Sequence, residues 1–259
     1  MTNVLTAIKA IINHPISDLV NYYQNKNRIN QMGEALECFI KDIFADTVTE
    51  SDQQKKLLKY SEVFSYSGNA NNPPDLILRR GDAVEVKKIE SIGAGIALNS
   101  SYPKSKLYAD SPLITSHCRN CEDWQEKDII YAIGVAQGKK LKLLWLIYGD
   151  CYFADRKIYE NAMNIADPLE VTKFGNLQKC NIASPEEVFS YLSDLKYNSN
   201  FSLHCIIKKE KYYSFPRLDI ESLERFKLLE NFKIMDIDIK SPNNPGDLIP
   251  ARLISFWND

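Results

Sequence analysis

No run of the sequence is long and apolar enough to read as a membrane span, and the first twenty residues lack the layout of a secretory leader. Met1 to Val20 interleave Lys9, Asn13, His14, Pro15 and Asp18 with short apolar clusters, so a cytoplasmic protein is expected. Cysteine is sparse. Cys38, Cys118, Cys121, Cys151, Cys180 and Cys205 are too scattered for a disulfide framework, which leaves reduced, mostly buried thiols as the expectation. Positive charge is not in excess either: 32 Lys and Arg against 34 Asp and Glu give a formal net charge of −2. That balance excludes a global attraction to polyanions and leaves any nucleic-acid binding to a local basic surface. Internal repeats, low-complexity tracts and convincing linkers are also missing, which argues for a single domain over residues 1–259.

What is present is an ordinary globular balance, 44% apolar and 25% charged, in a chain long enough to bury its own core. Val4 to Ile12 reads as a short amphipathic helix stopped by Pro15. A second helix is expected from Arg28 to Phe44, where Met32, Leu36, Phe39, Ile40 and Ile43 recur at spacings of three and four and Asn27 or Asn30 could cap the start. The polar stretch Glu50 to Lys56 is followed by a strand-like Ser61 to Tyr66, then by Gly68 to Pro74, which reads as loop. Further on, a helix is expected near Thr115 to Glu126. Two buried strands, Asp128 to Val135 and Leu141 to Tyr148, flank a Gly138-Lys139-Lys140 turn. The last third suggests helices at Pro185 to Leu195 and Ile220 to Phe232, and strands at Leu203 to Lys208, Ile234 to Ile239 and Leu253 to Trp257. The alternation favours an α/β fold, a sheet flanked by helices.

One segment gathers chemistry. In Asp75 to Lys87, two apolar-rich runs flank Arg79-Arg80-Gly81, a turn signal in which Gly81 suits the left-handed position. A three-residue loop there sets Leu76 against Val84 and Asp75 against Glu85. Alternation along a strand then puts Asp75, Glu85 and Lys87 on one face. Two carboxylates about 5 Å apart repel by roughly 3 kcal/mol at an effective dielectric of 20, and a divalent cation reverses that sign. Oxygen ligands of this kind suit Mg²⁺, which can polarise a phosphate and activate water, with Lys87 beside the developing charge. The bland alternative is an ordinary hairpin with Asp75 and Glu85 facing solvent and Lys87 as a neutralising neighbour. Pro245-Gly246-Asp247 imitates the start of the pattern but has no Glu-x-Lys after it, and reads as a loop.

The sequence resembles the NgoPII-type restriction endonucleases. The likeness is carried by Arg28-Ile29-Asn30-Gln31, Glu34-Ala35-Leu36-Glu37, Val63 to Tyr66, Asn72 to Asp75, Glu85 to Ser91, Ala97 to Ser101, Pro103 to Leu107, Lys127 to Tyr131, Ile239 to Pro245 and Ala251 to Ile254. It is strongest from Arg28 to Gly149 and thinner between Cys151 and Ser199. The resemblance implies a PD-(D/E)XK nuclease core, a mixed β-sheet flanked by α-helices, with the catalytic core at about 28–150 and residues 151–259 completing the fold. It also implies a type II enzyme that uses Mg²⁺ to cut double-stranded DNA at GGCC, with Asp75 and Glu85 as metal ligands. Palindromic cutting implies a homodimer, and self-protection of the host implies a companion DNA methyltransferase. Two alternatives stay open: a repair or junction nuclease of the same fold, and a DNA-binding protein that does not cut.

In this nuclease class a helix glutamate often supports the metal site, a role that falls to Glu37, with Glu34 as competitor. Lys88 should point away from Glu85. Asn99, Ser100, Ser101, Lys104 and Lys106 form a polar and basic segment just after the catalytic hairpin, suited to base edges and phosphates, against the alternative of a solvated loop. Asn71, with Tyr66, Gly68 and Asn69, is a second candidate loop for DNA. His117, Cys118 and Cys121 hint at zinc but lack a second ligand pair, so helix packing is expected. Lys208, Lys209 and Lys211 read as a solvated strand edge; Tyr212, Tyr213, Phe215 and Trp257 read as core or dimer interface.

Overall fold

The computed structural model describes residues 2–27, 31–69, 72–91, 104–158, 200–244 and 246–258. The expected helix Pro185 to Leu195 lies outside them. Among the described residues no helix is long and apolar enough to cross a membrane.

The chain begins with helices. Helix α1 (Val4–Asn13) is capped by Asn3, whose Oδ1 accepts from the Leu5 and Thr6 amides at 2.9 and 3.3 Å. Helix α2 (Leu19–Asn27) was not foreseen; it absorbs Asn27, one of the two proposed caps of the next helix. Helix α3 (Met32–Ala45) starts at Gln31 with no side-chain cap, later than expected, but buries Met32, Leu36, Phe39, Ile40 and Ile43 as the spacing required.

Helix α4 (Gln53–Val63) overturns the reading of Ser61 to Val63 as strand. Asp52 caps it, accepting from Gln54 and Lys55 amides at 2.9 and 3.3 Å. Its one buried residue is Lys56, so no apolar stripe announces it. Lys56 Nζ instead reaches Asp42 of α3 at 2.6 Å, where Tyr23, Thr47 and Tyr60 hydroxyls also donate. Both charges are 2% exposed or less. Removing one partner strands the other in a dry interior, so Lys56→Met should cost about 3 kcal/mol or more, read as a lowered urea midpoint with unchanged m-value.

Strands β1 (Phe64–Asn69), β2 (Asn72–Leu78) and β3 (Ala83–Ile89) follow. Gly68, Asn69 and Asn72 to Pro74 therefore belong to strands rather than to a loop, and the Pro73–Pro74 peptide is cis. Strand β4 (Lys106–Tyr108) leads to α5 (Ser116–Arg119), one turn where a helix from Thr115 to Glu126 was expected. Beyond that helix Glu122 pairs with Lys127 and accepts from the Arg80 amide. Strands β5 (Glu126–Gln137) and β6 (Lys140–Tyr148) outrun their expected ends, with Gly138 at φ 61° in the turn. Helix α6 (Gly149–Tyr152) ends this half.

After the undescribed stretch come β7 (Phe201–Lys208), α7 (Lys209–Ser214), α8 (Arg217–Glu224) with a 3₁₀ turn (Arg225–Leu228), β8 (Phe232–Lys240) and β9 (Leu248–Asn258). The expected helix Ile220 to Phe232 thus starts earlier and stops sooner. Leu228 and Leu229, which extended the apolar pattern, are exposed, and Phe232 instead pairs with Phe256 in the sheet.

All strands but β4 lie along one sheet in the order β1-β2-β3-β5-β6-β7-β9-β8, while β4 pairs with β5. The β3–β5 and β6–β7 pairs are parallel and the others antiparallel, so the sheet is mixed, as expected, and both parts of the chain build it. Helix α3 lies against β3 and β5, with α1 and α2 packed on α3. Gly134 of β5 permits that approach: a Cβ there would sit 2.6 Å from a Leu36 methyl. The catalytic candidates on β3 are thus roofed by the helix that carries Glu37.

Candidate active site

The β2–β3 hairpin has the anticipated register, Leu76 with Val84 and Ile77 with Ala83. One detail differs. The left-handed residue is Arg80, φ 57°, not Gly81; the Arg80 amide donates to Glu122 at 3.0 Å, while the Gly81 amide closes the turn on the Leu78 carbonyl. Just beyond the paired residues Asp75 and Glu85 are still neighbours, since the charge of Glu85 acts on the Asp75 carboxyl. The Asp75 carboxylate accepts from the Val86 amide at 2.6 Å, which fixes its direction.

Both carboxylates are largely withdrawn from water. Glu85 is 9% exposed; its Oε1 pairs with Lys87 Nζ at 2.7 Å, and its Oε2 is buried without a hydrogen-bond partner. Burial, and then the charge of Glu85, push the Asp75 carboxyl up to about 7 against the opposing pull of the Val86 amide and Lys87. Glu37 pushes in the same direction, so it lies within electrostatic reach of Asp75, although its own side chain is exposed rather than partly buried. The solvent-facing alternative for Asp75 and Glu85 does not describe this geometry. Two acidic groups and a lysine converge, and one carboxylate oxygen there lacks a donor.

The remaining candidates separate. Lys88 turns outward and pairs with Glu90 at 3.2 Å. Lys106 lies on β4 and pairs with Glu126 and Asp128 at 2.8 and 3.6 Å. Lys104, expected beside it in an open segment, is only 7% exposed and lies within electrostatic reach of Glu85. Burial pushes its ammonium down to about 8, Glu85 opposing that shift and Lys87 adding to it. Asn71, Asn99, Ser100 and Ser101 lie outside the described residues. Tyr66 is buried in β1, its hydroxyl 3.2 Å from Thr115 Oγ1.

Sequence reasoning missed Tyr131. It is the β5 partner of Glu85, and its hydroxyl both accepts from the Lys104 amide at 3.2 Å and donates to the Lys104 carbonyl at 3.1 Å. The available signal was a tyrosine inside a buried strand, since a buried phenol requires a polar partner.

His117 lies against the Tyr66 ring and Cys118 is buried, a packing arrangement. Cys38, Cys118, Cys121, Cys151 and Cys205 form no disulfide; Cys180 is outside the described residues. The basic run is corrected outright. Lys208 pairs with Asp150 and Lys209 with Asp236, while Lys211 bridges Asp82 and Asp128 at 3.0 and 2.6 Å, so these cations hold elements together rather than line a solvated edge. Tyr212 is core, whereas Tyr213 is exposed and its hydroxyl meets Arg252.

No solved structure matches the chain. The family model described as NgoPII restriction endonuclease matches residues 2–166 and 161–240. The type II restriction enzyme NgoPII of Neisseria gonorrhoeae is 39% identical over 280 residues, an alignment spanning 98% of this chain and 99% of that protein. With a hairpin that opposes two carboxylates beside a lysine and a likeness that runs almost end to end, the chain belongs to the NgoPII restriction endonuclease family, and so to the type II restriction enzymes.

Proposed function

We propose that the chain hydrolyses one phosphodiester in each strand of double-stranded DNA at GGCC, with Mg²⁺ held by Asp75 and Glu85 and with Lys87 completing the catalytic centre. The observation that carries this reading is the pair of neighbouring carboxylates, Glu85 buried with an unpartnered oxygen and Asp75 half-buried beside it. Such a pair either retains a proton or takes up a cation, and an all-oxygen donor set suits a hard ion. When bound, Mg²⁺ supplies Lewis-acid polarisation of the phosphate and a more acidic water.

The protein's own groups do the rest. The Val86 amide holds Asp75 pointing at the site, and Glu85 Oε1 holds Lys87, whose ammonium can orient the attacking water or face the charge that builds on phosphorus. Glu37 adds accessory negative field from α3. Asn71, Asn99, Ser100 and Ser101 are proposed DNA contacts through their amide and hydroxyl groups. Lys106 can exchange its exposed partner Glu126 for a phosphate at little cost. A two-fold homodimer fits the symmetry of a palindrome, a companion DNA methyltransferase fits the need for self-protection, and the shared sheet supports treating residues 1–259 as one domain.

Plasmid DNA incubated with Mg²⁺ should give discrete fragments whose sequenced ends fall within GGCC, and EDTA should prevent cutting. Smeared products, or cutting indifferent to EDTA, would overturn the reading. A preference for branched or damaged DNA over intact duplex would point to a repair or junction nuclease instead.

A further inference from the structure

We propose that Lys104 is a second ammonium of the catalytic centre, placed to contact a non-bridging oxygen of the cleaved phosphodiester. This deepens the nuclease reading above and rests on it. Three observations converge on the residue. First, its depth: at 7% exposure Lys104 is as buried as Glu85, which is 9% exposed. Long flexible ammonium groups normally extend to water, so a buried one implies a local need for its charge.

Second, its neighbours. The Lys104 backbone is bonded to Tyr131, the strand partner of Glu85, and the charges of Glu85 and Lys87 both act on the Lys104 ammonium. Two carboxylates and two ammonium groups cancel. A divalent cation then leaves the centre positive, facing a phosphodiester that gains negative charge as it is attacked.

Third, its mounting. The Lys104 backbone is clamped at both its amide and carbonyl by the hydroxyl of Tyr131, the strand partner of Glu85. The same segment crosses Gly149, where a Cβ would lie 2.6 Å from the Lys104 carbonyl oxygen and 2.5 Å from that of Ser105. Ser105 Oγ is tied in turn to Asp155 at 3.2 Å. A side chain serving only as solvated surface charge needs none of these constraints. One serving chemistry needs its backbone held within a fraction of an ångström.

The test is a cycle between Lys104→Met and a neutral methylphosphonate at the linkage identified by end sequencing. Duplex binding is measured in Ca²⁺, and single-turnover cleavage of the natural duplex in Mg²⁺. Expected are a thermal midpoint within a few degrees of the parent, a cleavage rate lowered by about 100-fold, and a binding loss from methylphosphonate that is clearly smaller in Lys104→Met than in the parent. If both proteins lose equal affinity on the neutral linkage, or if Lys104→Met cuts at the parental rate, the proposal is overturned. Should Met loosen the segment and drop the midpoint sharply, Lys104→Gln takes the same cycle. A parent protein that fails to cut at all sinks the nuclease reading, whereas a cutting parent with no coupling sinks only the role of Lys104.

Discussion

Lys87→Ala should reduce single-turnover cleavage by at least about 10³-fold while leaving Ca²⁺-supported duplex binding close to the parental value; without metal its urea midpoint should fall modestly, because buried Glu85 loses its cation. Lys87 is partly exposed and pairs with Glu85, so the fold does not depend on it in the way it depends on the fully buried Lys56. Its loss frees Glu85 Oε1 but leaves the hairpin register untouched, because the turn and the ladder from Leu76 to Val84 set that register. The loss therefore falls on the barrier to reaction. A variant that kept more than a tenth of the parental rate would remove Lys87 from the catalytic centre.

Asp75→Asn should produce two opposite effects, a loss of cutting of about 10³-fold or more and a gain in stability of the metal-free protein at pH 8. The gain follows from the folded-state shift. Asp75 titrates near 7 in the folded protein, above the ordinary 3.8 of the unfolded chain, so the folded state binds the proton more tightly. Its contribution is complete below pH 4 and is lost as pH rises through 7, when a buried carboxylate must ionise opposite Glu85. Asparagine never ionises, and its side-chain oxygen can still accept from the Val86 amide. A gain of about 1–3 kcal/mol is expected in EDTA at pH 8, shrinking towards pH 5. Denaturant titrations at the two pH values check it. A variant less stable than the parent at pH 8 would mean that the carboxylates are not in mutual repulsion.

The hairpin of the candidate site was legible because its information is local. A short turn between apolar runs fixes which residues oppose one another, and alternation then assigns Asp75, Glu85 and Lys87 to one face. The position of the left-handed residue was not local: Arg80 is held there by a bond to Glu122, forty-two residues away. Helix α4 escaped for the same kind of reason, since its anchor is a lysine whose meaning appears only when Asp42, Tyr23 and Tyr60 are brought around it. Lys104 looked like one more cation in a polar stretch. Its depth depends on Tyr131 and on the bare backbone at Gly149, neither of which is adjacent in sequence.

The region between about 28 and 150 looks self-sufficient on paper. Yet Ser105 leans on Asp155, Asp155 is gripped by Asn243 from the β8–β9 turn at 2.7 and 2.9 Å, and β6 has β7 as its far neighbour. Anyone hoping to lift out the cutting centre as a portable cassette, for fusion to some other DNA reader, would tear open an apolar sheet edge and cast off the mooring beneath Lys104. Cleavage and scaffold are woven from both halves of the polypeptide, so this nuclease must travel whole.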